Sequence, residues 1–306
     1  TSEMNHQMVQ YDADKGSLMR FYATSNPMES RGQVSGYNSP ERRQRLLQLI
    51  ADNLKQLEQA EFEKMNINGK VDYLLFKRNL EDEQYKLQQE QKSYDQIVRF
   101  LPFSDRIYTL VKPRARGLSV NAQEVAKEMD GILKAVMQAN DKLKKEEGVE
   151  QQLATLASEA VKGLQGVLKS YYAFYNAYDP QFSWWIPKTY SSLDSELDTY
   201  AKGLLGKGQP NSTQKDDGSG IIGKPIGREE LIRQLKLEFI PYTPEELTEI
   251  ANKEFAWCDA ELLKASVEMG FGTDWKAAQE KVKNSFVAPG QQPQAMLELY
   301  EQWWLF

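Results

Sequence analysis

NAQEVAKEMDGILKAVMQANDKLKKEEGVEQQLATLASEAVKGLQGVLKSYYAFYNAYDP, residues 121–180, carries the pattern that decides the fold. Val125, Met129, Ile132, Val136, Ala139 and Leu143 alternate at intervals of four and three, which puts all six on one face of an α-helix. Asn121 stands where an N-cap is needed, with Glu124 placed to reach back to it. Lysines crowd the far end, and Gly148 follows. A second stripe, Leu153, Ala157, Ala160, Leu164, Leu168, Tyr171, Tyr175 and Tyr178, predicts a partner helix that stops at Asp179-Pro180, because proline restricts the residue before it. Two long helices joined by a tight glycine turn read as an antiparallel hairpin.

Outward from this pair, the spacing stays helical. Ser39-Pro40 offers an N-cap followed by proline at the first helical position, and Leu47, Ile50, Leu54 and Leu57 predict a helix over 40–59. Asn68-Gly69 separates it from a second segment, Lys70 to Val98. Thr243-Pro244-Glu245-Glu246 combines a cap, a proline and a reciprocal glutamate, and Ala251, Phe255, Cys258, Leu262, Ala265 and Met269 continue to a stop at Gly270-Phe271. That stripe assigns Cys258 to a buried face. No period-two alternation is sustained. The expectation is an all-α fold, a multi-helical array of long antiparallel helices, with at most one short edge strand or hairpin near 218–226. Four segments are expected: 1–38, an N-terminal segment with a first helix and loop; 39–205, a long-helix bundle; 206–227, a Gly/Pro/polar linker; and 228–306, a C-terminal helical segment.

The chain has one histidine, His6, and one cysteine, Cys258, which removes most familiar chemistry. A zinc site normally takes three protein ligands, and a cysteine nucleophile needs a basic partner. His6 lies so near the start that fraying is expected there. No catalytic residue and no metal ligand can be assigned. The net charge of −6 and mean hydropathy of −0.63 speak against nucleic acid as a partner. The nearest basic cluster, Lys112-Pro113-Arg114-Ala115-Arg116, reads as a solvated loop. No apolar run is long enough to span a membrane. GSGIIG at 218–223 spells a dinucleotide-binding string, but a polar linker leads into it, and Pro225 stands where a P-loop needs a hydroxyl. Glu254 and Glu261 share a helical face, as charges on any solvated face do.

Aromatic density is the remaining signal. Nine of the twenty residues from Tyr171 to Tyr190 are aromatic, and FSWWIP at 182–187 has no helical stripe on which to bury them. A hydrophobic hinge explains this, and so does a cleft wall. Trp184, Trp185 and Tyr190 are therefore substrate-binding candidates, with Arg228 and Tyr242 as weaker additions.

GKPIGREEL at 223–231, LEFIPYTPEEL at 237–247, EFAWC at 254–258 and VDYLL at 71–75 resemble the bacterial domain-of-unknown-function family numbered 885. Members of that family are usually about twice as long, largely helical, often exported or lipid-anchored, and many carry an HExxPGH-like segment similar to the zinc-binding helix of metallopeptidases. No HExxH occurs here. The resemblance therefore implies the N-terminal half of a metallopeptidase-like protein, one wall of a peptide cleft, without a cofactor of its own. Zinc and the hydrolytic site would belong to a missing C-terminal half, its partner. An exported location is implied by the resemblance alone. The alternatives are a stand-alone helical binding module and a carboxylate-dependent enzyme. MLELYEQWWLF at 296–306 reads as an uncapped, apolar end whose Trp303, Trp304 and Phe306 should pack on a neighbouring copy or around Trp184 and Trp185.

Overall fold

Capping chemistry sets the helix boundaries in the computed structural model, which describes residues 2–23, 39–209 and 226–303. Of the described residues, 80% are helical. Ser39 accepts a hydrogen bond from the Arg42 amide (3.1 Å) and starts the helix at Pro40. Asn66 accepts from the Gly69 amide (2.9 Å), so the next helix starts at Ile67 and Asn68-Gly69, expected as a break, lies in its first turn. Asn121 accepts from the amides of Gln123 (3.0 Å) and Glu124 (3.1 Å). The chain divides into two compact units, Thr1–Ile222 and Gly223–Phe306.

The first unit contains α1 (Asn5–Phe21), α2 (Pro40–Glu58), α3 (Ile67–Ile97), α4 (Ser104–Ala115), α5 (Ala122–Lys145), α6 (Gln151–Asn176), α7 (Pro180–Trp185) and α8 (Pro187–Gly206). Two-residue strands, β1 (Val149–Glu150) and β2 (Gly208–Gln209), pair in parallel. These strands are too short to leave any periodicity in the sequence. The strand expected near 218–226, like the GSGIIG string, lies almost wholly outside the described residues.

The predicted α5–α6 hairpin is corrected in its packing. α8 is the principal neighbour of both α5 and α6, so the two sequence neighbours are joined through a helix that arrives later in the chain. Along the antiparallel α6–α8 seam, the Ser158 hydroxyl donates to the Ala201 carbonyl (2.9 Å), the Gln165 amide to the Asp194 side chain (2.9 Å), and Tyr172 stacks on Tyr190 at 3.9 Å. α5 runs parallel to α8, since Asn140 donates to Glu196 (2.9 Å) and, further along both, Lys207 donates to the Lys144 carbonyl (3.2 Å). That lysine also serves the Glu146 carbonyl, so it fills the acceptors α5 leaves open at its C-terminus. Met129, Ile132, Val136, Val161, Leu193, Leu197 and Leu204 are each 0% exposed at the centre of this core. A fully buried side chain of this kind contributes roughly 1.5–3 kcal/mol, so the three-helix contact is the main source of stability. A smaller core, Met4, Tyr11, Ile50, Leu57, Phe76 and Leu80, joins α1, α2 and α3. His6, expected to fray, instead lies exposed in the first turn of α1.

The second unit contains α9 (Arg228–Leu237), α10 (Pro244–Glu268), α11 (Trp275–Lys283) and α12 (Gln292–Trp303). Both arms of the predicted capping box form: the Thr243 hydroxyl accepts from the Glu246 amide (3.2 Å), and the Glu246 carboxylate accepts from the Thr243 amide (2.7 Å). Gly270, at φ 85°, ends α10, with its own amide on the Val267 carbonyl (3.0 Å) and the Phe271 amide on Ser266 (2.9 Å). The predicted burial of α10 is not found. Phe255 is 67% exposed and Trp257 61%, and Cys258 is exposed too. Ser266 and Ala278 are the buried residues among those described in this unit. The stripe identifies the face that seeks cover, and no described residue of the unit buries it.

Candidate functional site

Trp184, Trp185 and Tyr190 gather where α6, α7 and α8 meet. FSWWIP at 182–187 is not the loop its sequence suggested. Asp179 accepts from the amides of Gln181 (2.9 Å) and Phe182 (3.0 Å) and starts α7, a short helix. Phe182 and Ile186, one turn apart, are each 0% exposed and anchor the segment, which turns Trp184 outward to 83% exposure and leaves Trp185 at 46%. Tyr190 is half-buried in its stack on Tyr172, and its phenol pKa is pushed up to about 12, first by burial and then by Asp194. It therefore stays a neutral hydrogen-bonding group at ordinary pH and serves the packing of α6 on α8.

The aromatic corner continues onto the end of α6. Tyr171 and Tyr175 pack their rings against Phe182 at 5.9 and 5.2 Å, while Phe174 and Tyr178 face solvent. Arg114 closes this corner from α4. Its guanidinium carbon lies 4.4 Å over the Phe174 ring, and its Nη1 donates to the Ser170 carbonyl (3.2 Å) and hydroxyl (3.1 Å). Burial holds its pKa below the ordinary arginine value, against the opposing pull of Tyr175 and Tyr171. The basic cluster expected as a solvated loop is thus the last turn of α4, in which Lys112 pairs with Glu41 at 2.7 Å. Arg114 went unnoticed in the sequence, although Ile107, Leu110, Val111 and Arg114 follow helical spacing and place it beside three buried residues.

Arg228 and Tyr242 belong to the second unit. Arg228 opens α9 and grips Glu245 in the first turn of α10 with two hydrogen bonds, which hold the Glu245 carboxyl below its ordinary range. Both side chains are exposed, and the pair links the first turn of α9 to that of α10. Tyr242, 49% exposed, sits just before the Thr243 cap. On α12, Met296, Leu299, Tyr300 and Trp303 line an open apolar hollow of about 530 Å³. Trp303 is 84% exposed, and Trp304 and Phe306 lie outside the described residues. Glu254, Asp259, Glu261 and Glu268 are exposed along α10. Among the described residues no three His, Cys, Asp or Glu side chains are grouped to hold a metal ion, and no helix is long and apolar enough to cross a membrane.

The bacterial protein family of unknown function DUF885 matches residues 22–304, through both units. The chain belongs to that family. No curated protein and no solved structure matches it. The DUF885 match takes in the aromatic corner of the first unit and the uncovered α10 of the second alike. It runs almost the length of the chain, and starts further upstream than the quoted motifs.

Proposed function

We propose that this DUF885 chain is the non-catalytic helical part of a metallopeptidase-like protein, forming one wall of a peptide cleft, with the hydrolytic zinc site built by residues outside these 306. The observation that carries the reading is the uncovered surface of α10, where Phe255, Trp257, Leu262, Leu263 and Val267, spread around much of one well-capped helix, are all exposed. A helix of 25 residues with both ends chemically specified is built to pack, and helices in proteins draw most of their stability from such packing. A second, folded part of the same protein supplies the missing cover. The exposed aromatics Phe174, Tyr178 and Trp184 support the peptide-facing role, since flat apolar rings with polar edges suit extended chains.

The test is reconstitution. The 306-residue chain and a separately produced downstream segment carrying the zinc motif are assayed alone and mixed on a peptide library, with and without chelator. The reading expects hydrolysis from the mixture that exceeds that of either part and is lost on chelation. A chain that binds peptides with no partner, and adds nothing to the downstream segment, supports the stand-alone binding module instead.

A further inference from the structure

Donors accumulate without an acceptor where α4 meets the last turns of α6. Arg114, partly exposed, uses Nη1 on Ser170, and the groups that act on its charge among the described residues are two phenols, Tyr175 and Tyr171, with no carboxylate between them. Tyr171 is 1% exposed, and its hydroxyl has no hydrogen-bond partner among the described residues. Tyr175 is 7% exposed, its ring 5.0 Å from that of Tyr171. A buried hydroxyl without a partner is costly, and a half-buried guanidinium beside no carboxylate has donors to spare, so the two together describe a place that suits one negatively charged acceptor. Asp179 is the carboxylate that acts on Tyr175, and its Oδ1 accepts from the amides that start α7. Phe174 and Tyr178, their rings 6.4 Å apart, extend the site outward as an exposed apolar shelf.

We propose that Arg114, Ser170, Tyr171 and Phe174 form a carboxylate subsite that takes an organic monocarboxylate with an aromatic or apolar body. The guanidinium nitrogens other than Nη1 receive the carboxylate, for which their planar fork is shaped. The body of the ligand lies along Phe174 and Tyr178. A second ligand oxygen gives the Tyr171 hydroxyl its acceptor, which requires neighbouring side chains to move, since Tyr171 is 1% exposed. The C-terminal ends of α4 and α6 oppose an anion, so the affinity is modest and is sought at millimolar ligand. The site lies wholly in the first unit and does not rest on the proposed cleft or on any partner.

The experiment is a ligand-observed NMR titration of the full chain with N-acetyl-L-phenylalanine and, separately, with its uncharged amide. The acid should bind about tenfold more tightly than the amide, the ratio one charge-assisted hydrogen-bonded contact provides. Arg114→Gln should abolish that preference, Arg114→Lys should restore part of it, and Tyr171→Phe should weaken the acid without affecting the amide. Thermal melts of all three variants establish that they fold. Should Arg114→Gln fail to fold, the Lys and Phe variants decide the matter by the same acid-to-amide ratio. Equal affinity for acid and amide, a preference that survives in Arg114→Gln, no binding of the acid at millimolar concentration, or equally effective competition by inorganic phosphate would each overturn the proposal.

Discussion

Arg43 shows how much a single charged side chain can hold in place. It is 0% exposed, donates Nε to Gln91 (2.8 Å), approaches Glu90 at 3.4 Å and lies 4.5 Å over the Tyr94 ring. Glu90 keeps Arg42 as a partner, so the loss is that of a fully buried side chain with its bond to Gln91, and Arg43→Ala should destabilise the first unit by about 2–5 kcal/mol, as read from denaturant unfolding. Lys144→Ala, which breaks the exposed pair with Asp141 at 3.0 Å, should cost at most about 1 kcal/mol in the same measurement. Glu41 makes a pH-dependent contribution. Its carboxyl is held below the ordinary range, chiefly by the bond from Lys112, so the folded state favours the ionised form. The stabilisation is complete above the unfolded pKa near about 4.3 and is lost as pH falls through the lower folded value. The stability difference between the parent and Glu41→Gln should therefore be flat from about pH 7 to 5 and vanish in stronger acid, and at 44% side-chain exposure it stays under about 1 kcal/mol. A difference that grows as pH falls would contradict the assignment. Arg114, by contrast, was hidden in the sequence because a charged cluster reads as solvated wherever its place on the helix face is ignored.

At the scale of elements, helices with both a capping residue and a stripe were legible, as α2, α5 and α10 show, and α6 was legible from its stripe alone. α8 is less legible, although Leu193, Leu197, Tyr200 and Leu204 repeat at helical spacing, because no capping side chain marks its start and a dense aromatic run precedes it. Its position between α5 and α6 could not be read at all. A stripe gives a face and a length, whereas the partner depends on which later helix returns to fill the space, and here the nearest helix in sequence is not the nearest in contact. Two substitutions separate local from tertiary stabilisation. Leu197→Ala, at 0% exposure in the α8 seam, should cost about 2–5 kcal/mol in global unfolding. Thr243→Ala removes one arm of an exposed cap and should cost about 1 kcal/mol, read as faster amide exchange in the first turn of α10 with the first unit unaffected. A Leu197→Ala variant as stable as the parent would mean that α8 is not the central element.

At the scale of the whole molecule, the contrast lies between a first unit with a large core and a smaller one beside it and a second with two buried residues among those described. Sequence periodicity predicted the α10 helix and mistook its apolar face for a covered one. Amphipathicity records a demand for burial and does not say whether the cover lies in the same unit. The proposed function interprets that unmet demand as the seam with another part of the protein. Hydrogen–deuterium exchange over the full chain, alone and with the downstream segment, tests this most directly. In the chain alone, amides of residues 244–268 should exchange far faster than those of α5, α6 and α8, because few buried contacts hold them. Adding the segment should slow exchange across 244–268 and leave α5, α6 and α8 unchanged. Protection of α10 in the chain alone equal to that of α6, or no change on adding the segment, would contradict the account.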